Sequence, residues 1–302
     1  MEPKRALFQI LSSSLVVLFL SLSCQHVDIK DRSAETNKEE LCLVGMGPGD
    51  SDLATFRAMD IVQEANLIIC SKSLKERFSS VLNSKEVVSP PDGVWIWHGY
   101  GKKGSDFQGK ELEKFRASEK AREQIIIKVR QTINEEKTVA ILDHADPLIY
   151  GPWSWILEEF EDLSPTVVPG LSSFNAANAA LKKGVTSGRR TKSVILTMPD
   201  LPEMSKKDTI EKLARHQATM VIFMPTVRNT KLKDLVAKLT THYSPQTPIA
   251  LVACAGYQEK ERVIRGTLEN IVNKLGDQSL PFEHLIYVGD FLTHEMKLEK
   301  GE

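Results

Sequence analysis

Little in this chain is in excess. Its 302 residues balance 39 Lys and Arg against 40 Asp and Glu, a formal charge of −1, so no global field of either sign favours nucleic acid. The four cysteines, Cys24, Cys42, Cys70 and Cys254, lack metal-ligand spacing. Three of them sit in apolar runs, where a buried thiol is expected rather than a disulfide scaffold. No solenoid-period repeat is visible, and no low-complexity tract interrupts the body. Neither Gly-x-Gly-x-x-Gly nor a phosphate loop ending in Gly-Lys-Ser/Thr occurs, which argues against a dinucleotide or a triphosphate. No Ser/His/Asp or metal-binding pattern stands out, and no resident metal is expected. With 41% hydrophobic residues, the chain has enough apolar surface for one large domain or two small ones.

Short apolar runs alternate with amphipathic stretches from residue 41 onward, the pattern of an α/β protein. Strands are predicted at 41–45, 66–70, 138–142, 193–197, 219–224, 248–253 and 284–288, and helices at 52–64, 117–134, 172–182, 231–241 and 267–275. The first strand empties into Gly45-Met46-Gly47-Pro48-Gly49-Asp50. Glycines permit torsions and close approach that side chains block, Pro48 stiffens the turn, and Asp50 is placed to cap the helix behind it. Such a loop suits a nucleotide-type ligand. The plain alternative is a tight strand-to-helix turn that binds nothing.

Further segments follow in order. Leu53, Thr55, Arg57 and Ala58 continue the first loop; Asp146-Pro147-Leu148-Ile149-Tyr150-Gly151 and Val168-Pro169-Gly170-Leu171-Ser172-Ser173 come next. Thr219 to Met224, Thr247 to Ala250 and Ile264 to Leu268 complete the series. Together these resemble the tetrapyrrole (corrin and porphyrin) methylase family over roughly residues 40–292, and Val167 to Ala180 with Tyr243 to Leu268 look most like its precorrin-4 and cobalt-precorrin-4 methyltransferases.

The resemblance implies two α/β domains, read as 41–162 and 163–292 ahead of a tail at 293–302, with cofactor and substrate in the cleft between them, usually as a homodimer. The segment Asp162 to Pro165 is placed as a hinge. It also implies methyl transfer from S-adenosylmethionine to a ring carbon of a tetrapyrrole, as in cobalamin biosynthesis. The sulfonium is already activated, so the protein mainly aligns the reactants and excludes water. Carried over by resemblance, the cofactor contacts are Gly47, Pro48, Gly49 and Asp50 in the first loop, His144, Ala145, Asp146 and Ile149 in the second, Ser172 and Ser173 in the third, and Met224 and Ala255. No catalytic side chain is assigned. Each has a bland reading too: Met224 and Ala255 as core, Ser172 and Ser173 as a helix cap, Asp146-Pro147 as a common turn pair, His144 as a solvated or capping residue.

Two departures stand out. Ala145 occupies the position where the family has glycine, and it adopts a positive φ less cheaply. The segment 90–109 has no counterpart in the family motifs; it carries Trp95, Trp97, His98 and Tyr100 followed by Lys102 and Lys103. Trp97, His98, Lys102 and Lys103 suit a macrocycle bearing carboxylates, through stacking, metal ligation and charge. The alternative is a surface loop whose tryptophans pack on the domain.

The N-terminus reads as an export signal: Lys4 and Arg5 precede an uncharged stretch from Ala6 to Ser23. Leu20-Ser21-Leu22-Ser23-Cys24 resembles a bacterial lipobox with Cys24 as the lipidated residue, although leucine stands one place early. Residues 1–24 are thus a signal or membrane anchor, and 25–40 a polar tether. Lipidation would put the body on the periplasmic or outer face, where the methyl donor is not expected; an uncleaved anchor facing the cytoplasm stays open. Two functions follow, a membrane-tethered methyltransferase or a surface lipoprotein that keeps the fold to bind tetrapyrrole without catalysis.

Overall fold

The run Leu41-Cys42-Leu43-Val44 forms β1 (Leu41–Gly45), and every residue of it is buried. Side chains alternate across a strand, so Leu41 and Leu43 enter one apolar layer while Cys42 and Val44 enter the layer on the opposite face. A strand buried on both faces belongs in a parallel sheet flanked by helices. In the computed structural model, which describes residues 40–91, 94, 102–187, 191–200, 206–223 and 229–294, this is what surrounds it. After β1 come α1 (Phe56–Glu64), β2 (Leu67–Ile69), α2 (Lys72–Arg77), α3 (Ser79–Leu82), β3 (Glu86–Val88), α4 (Gly109–Asn134), β4 (Val139–Asp143), α5 (Ile156–Glu159) and β5 (Thr166–Val168). The sheet order is β3-β2-β4-β1-β5, parallel throughout.

Connections running toward β3 lay α1, α2 and α3 on the face of Cys42 and Val44, through Ala58, Val62, Leu74 and Leu82. Those running the other way lay α4 and α5 on the face of Leu41 and Leu43, through Ala121, Ile125, Val129 and Ile156. Right-handed crossovers produce this division. The direction reverses between the neighbours β1 and β4, and a crevice opens outside strand ends at such a point.

The second half comprises α6 (Ser173–Leu181), β6 (Val194–Thr197), α7 (Ile210–Ala214), β7 (Thr219–Phe223), α8 (Asn229–Thr240), β8 (Pro248–Ala253), β9 (Arg262–Thr267), α9 (Ile271–Leu275) and β10 (His284–Val288). Its sheet runs β6-β7-β10-β8-β9; β6 and β7 are parallel and the other pairs antiparallel. One face packs α7, α8 and α9 over Met220, Ile222, Leu251 and Ile286, and the other packs α6 over Val221, Val252 and Tyr287. The two-domain α/β architecture expected from the sequence is present, and Glu39–Glu302 forms one compact unit.

Several boundaries differ from expectation. The change of domain drawn at 162/163 comes one strand early, because β5 pairs with β1 through Cys42, Leu43 and Val44. The proposed hinge at 162–165 lies inside the first half. Arg130 donates to both carboxylate oxygens of Asp162 at 2.8 and 3.1 Å and to the Glu159 carbonyl at 3.2 Å, tying that segment to α4. The strands β3, β5 and β9 went unpredicted. Part of the helix expected at 267–275 is strand, and α4 starts at Gly109 rather than 117. Thr55 caps α1 by accepting from the Ala58 amide at 3.1 Å, so the helix expected from 52 begins at Phe56, behind a single 3-10 turn at Ser51–Leu53.

Candidate functional site

Three loops leave the C-terminal ends of β1, β4 and β5, beside the β1–β4 crevice, and they meet backbone to backbone. The Gly47 amide donates to the Ala145 carbonyl at 3.3 Å and the Ala145 amide to the Gly47 carbonyl at 3.2 Å, an isolated antiparallel bridge. A Cβ on Gly45 would stand 2.5 Å from the Gly170 nitrogen and 2.7 Å from the Ala145 oxygen, so the first and third loops touch only because both residues are glycine. Ala145 itself sits at φ +56, the left-handed torsion that the glycine of the resembled family would take without strain. The alanine holds this torsion with both its amide and its carbonyl bonded to Gly47.

Within the first loop the peptide groups can be accounted for one by one. Met46 donates to the Asp143 carbonyl at 3.0 Å, and Asp50 donates to the Gly256 carbonyl, also at 3.0 Å. The guanidinium of Arg77, at the end of α2, donates to the carbonyls of Met46 at 3.1 Å, Gly47 at 2.8 Å and Gly49 at 2.7 Å. The Asp50 carbonyl accepts from Leu53. Among the described residues, the peptide joining Pro48 to Gly49 alone in this loop has both its carbonyl and its amide without a partner. Pro48 and Gly49 are buried, and a buried peptide left unpaired costs about 1–3 kcal/mol. Such a group marks a place for a ligand.

Asp50 does not cap the turn that follows it. Its carboxylate accepts instead from the Gln258 amide of the second half at 2.9 Å. Behind it, the Tyr257 hydroxyl donates to Glu283 at 3.3 Å; burial lowers the Arg77 pKa, and Tyr257, Glu283 and Asp50 act against that lowering.

In the second loop, His144 Nε2 lies 3.0 Å from Ser71 Oγ and 3.2 Å from Ser73 Oγ, at the start of α2. Burial, aided by the charge of Arg77, pushes the imidazole down to about 4, so it is neutral at pH 7. Asp143, the last residue of β4, is fully buried; desolvation pushes its carboxyl up to about 8, and Oδ1 is unpartnered while Oδ2 accepts from the Trp153 amide at 3.4 Å. Asp146 turns its carboxylate onto the Leu148 amide at 2.9 Å. Leu148, Ile149 and Tyr150 are exposed at the tip, and the Tyr150 ring rests on Phe223 of the second half with centroids 4.8 Å apart.

Ser172 is buried, and its hydroxyl caps α6 by accepting from the Phe174 amide at 3.2 Å while Asn175 accepts from the Ser172 amide at 3.1 Å. Ser173 and Ala255 are half-buried, the latter packed against the Val252 and Phe223 layer. Met224, Trp97, His98 and Cys24 lie outside the described residues. Of the aromatic segment, buried Val94 is described: its carbonyl accepts from Ser118 and Arg122 of α4, both at 3.0 Å, which anchors that end under the helix. The Lys103 amide donates to Asp106 at 2.8 Å, fixing the turn before α4; Lys102 is half-buried. Sequence reasoning did not single out Arg77, Tyr257, Glu283, Ser71 or Ser73.

The profile of the Tetrapyrrole (Corrin/Porphyrin) Methylases matches residues 40–272. The chain is 30% identical to the cobalt-precorrin-4 C(11)-methyltransferase of Methanocaldococcus jannaschii over 263 residues, covering 85% of this chain and 90% of that one. Two solved structures share the fold. A cobalt-precorrin-4 methyltransferase superposes with a TM-score of 0.63 at 22% identity, over 83% of this chain and 95% of its own. The uroporphyrin-III C-methyltransferase of Thermus thermophilus, complexed with S-adenosyl homocysteine, superposes with a TM-score of 0.58 at 19% identity, over 84% and 99%. The profile spans the first sheet, all three loops and the second sheet except β10: the chain belongs to the tetrapyrrole (corrin/porphyrin) methylase family.

Proposed function

We propose that the protein methylates a ring carbon of a corrinoid precursor of the precorrin-4 type, with the loops after β1, β4 and β5 holding the methyl donor. As a tetrapyrrole methylase the chain uses S-adenosylmethionine, which supplies an electrophilic methyl on a sulfonium leaving group. The observation that carries the reading is the buried, unpaired Pro48–Gly49 peptide, one donor and one acceptor in a first loop whose other peptides from Met46 to Asp50 each have a partner.

The charge of the surrounding groups fits a cationic donor. His144 is neutral, Asp143 keeps its proton at neutral pH, and the positive charge of Arg77 is turned onto three carbonyls. Arg77, a cation at the first loop, is directed at the loop's own carbonyls and has the carboxylates of Glu283 and Asp50 nearby. Gly47, Pro48, Gly49, Asp50, His144, Ala145, Asp146, Ile149, Ser172, Ser173, Met224 and Ala255 are retained as the cofactor set. Asp146 and Ser172 act chiefly by shaping their loops, since each side chain already holds a backbone amide. The apolar tip Leu148-Ile149-Tyr150 offers surface to a flat ring. Alignment and exclusion of water then carry the catalysis.

Incubating the full chain with cobalt-precorrin-4 and methyl-labelled S-adenosylmethionine tests this. Label on the ring carbon is expected; no transfer, with no binding of S-adenosyl homocysteine up to about 1 mM, would remove the reading.

The leader favours a second reading, a lipoprotein anchored through Cys24 that binds tetrapyrrole without methylating it. No helix among the described residues is long and apolar enough to cross a membrane, and the anchor proposed in this reading is residues 1–24. Mass spectrometry of the native N-terminus decides it: a diacylglyceryl-modified Cys24 is expected if the protein is anchored, and an unmodified precursor removes the anchor. A homodimer, common to the resembled family, is proposed for either reading.

A further inference from the structure

We infer that Arg77 is a positioning residue for the methyl donor, an inference that rests on the reading above. One guanidinium gathers the carbonyls of Met46, Gly47 and Gly49, three of the five residues between Met46 and Asp50. In a planar peptide the carbonyl and the following amide point in opposite directions. Fixing the Gly47 and Gly49 carbonyls therefore fixes the peptides on either side of Pro48–Gly49, and with them the direction in which that unpaired group faces. Pro48 removes one torsion and Gly49, at φ +72, supplies the left-handed turn. The amides of Met46, Gly47 and Asp50 are tied to Asp143, Ala145 and Gly256, and Arg77 holds the carbonyl side of the loop.

Two electrostatic relationships set this arginine apart from a simple brace. Its charge is among the causes that keep His144 of the second loop unprotonated. The Glu283 carboxylate and the neutral Tyr257 hydroxyl of the second half favour its charged form, by charge and by hydrogen bonding. Arg77 thus links the first loop, the second loop and the opposite half, which are the three parts that must keep register around a bound donor. A lysine puts a single point charge where a planar fork of donors now sits, and cannot reach three carbonyls with the same geometry.

The test uses the full chain and two variants, Arg77→Met and Arg77→Lys, at a temperature where each is folded by melting curve. Calorimetry with S-adenosyl homocysteine is expected to show at least a tenfold loss for Arg77→Met and partial recovery for Arg77→Lys, and the His144 imidazole is expected to titrate at higher pH in Arg77→Met by NMR. Affinity within twofold of the parent, with only the melting temperature lowered, overturns the inference and leaves the proposed function standing. If the parent itself binds no S-adenosyl homocysteine, the proposed function fails. Amide exchange then decides on Arg77: faster exchange confined to 45–50 and 256–258 in Arg77→Met supports loop positioning, and unchanged exchange there overturns it. Should Arg77→Met not fold, Arg77→Lys carries the same comparisons.

Discussion

Gly49 and Gly256 meet backbone to backbone: a Cβ on Gly49 would land on the Gly256 peptide, with the Gly256 Cα 2.7 Å away. The two residues sit at φ +72 and +87, one in the first loop of the parallel half and one after β8 of the other. The sequence alone suggested that Gly49 is bare so that a ligand can approach. The neighbour that demands glycine is instead the protein itself, and the contact locks the halves together beside Asp50 and Gln258.

Gly49→Ala is accordingly expected to act first on stability. A left-handed alanine costs about 1 kcal/mol, and the collision with Gly256 adds to that, so a total loss of about 3 kcal/mol is expected. Gly109→Ala is the control. Gly109 also has a positive φ, +54, but nothing lies within 4 Å of its would-be Cβ, so about 1 kcal/mol is expected. Urea denaturation of the two variants checks the difference; equal losses would show that the Gly256 contact yields.

Ala145→Gly runs the other way. The residue stands at φ +56 with both its amide and its carbonyl bonded to Gly47. Glycine relieves the torsion but gives the unfolded chain more freedom, so a net gain of about 0.5 kcal/mol or less is expected. Affinity for S-adenosyl homocysteine should stay within about twofold, because the bridge already holds the loop in the glycine-like shape. A tenfold gain in affinity would mean that the alanine methyl obstructs the donor.

The sequence disclosed what is local and concealed what is not. Every residue of β1, β4 and β7 is buried, so these strands appear as apolar runs, broken at one end by Asp143 in β4 and Thr219 in β7. β3 and β5 have only three residues each and are partly exposed, too short for any period to register. β9 is an edge strand whose Arg262 and Arg265 read as loop. The glycine loop was legible because its turn chemistry is written in six adjacent residues. Arg77 was not, since nothing in Lys72–Arg77 signals that its last side chain reaches back 28 to 31 residues to Met46, Gly47 and Gly49. The bond between Asp50 and Gln258 spans 208 residues and exists only once both halves have folded.

Asp143 and His144 give stability a pH dependence with two windows. The native state holds the Asp143 proton up to about 8, while an unfolded chain loses it near 4. Between those values the native state binds more protons, so stability falls as pH rises. His144 is depressed to about 4 against an unfolded value near 6.5. There the unfolded state binds more protons, and stability rises with pH. From about 4 to 6.5 the two slopes oppose; from about 6.5 to 8 Asp143 acts alone, at up to about 1.4 kcal/mol per pH unit. Urea denaturation at pH 5.5, 7 and 8.5 is expected to show a decline above neutrality in the parent and none in Asp143→Asn. A decline of equal size in Asp143→Asn would assign it to another group.

Tyr150 joins the second loop to the other half of the molecule. It leaves the second loop at φ +59, 39% exposed, and lays its ring on Phe223 at the end of β7, 4.8 Å between centroids. A pair of this kind contributes about 0.5–1.5 kcal/mol, and alanine at the same torsion adds no new backbone strain, so Tyr150→Ala is expected to lose about 1 kcal/mol of stability. Its larger effect should fall on the substrate, because Leu148, Ile149 and Tyr150 together form the exposed apolar tip available to a flat macrocycle. Steady-state methyl transfer is expected to show KM for the tetrapyrrole raised severalfold with kcat nearly kept, the pattern of lost ground-state binding. A fall in kcat at constant KM would instead assign the ring a role in aligning donor and acceptor, and would move Tyr150 from the substrate wall into the reacting geometry.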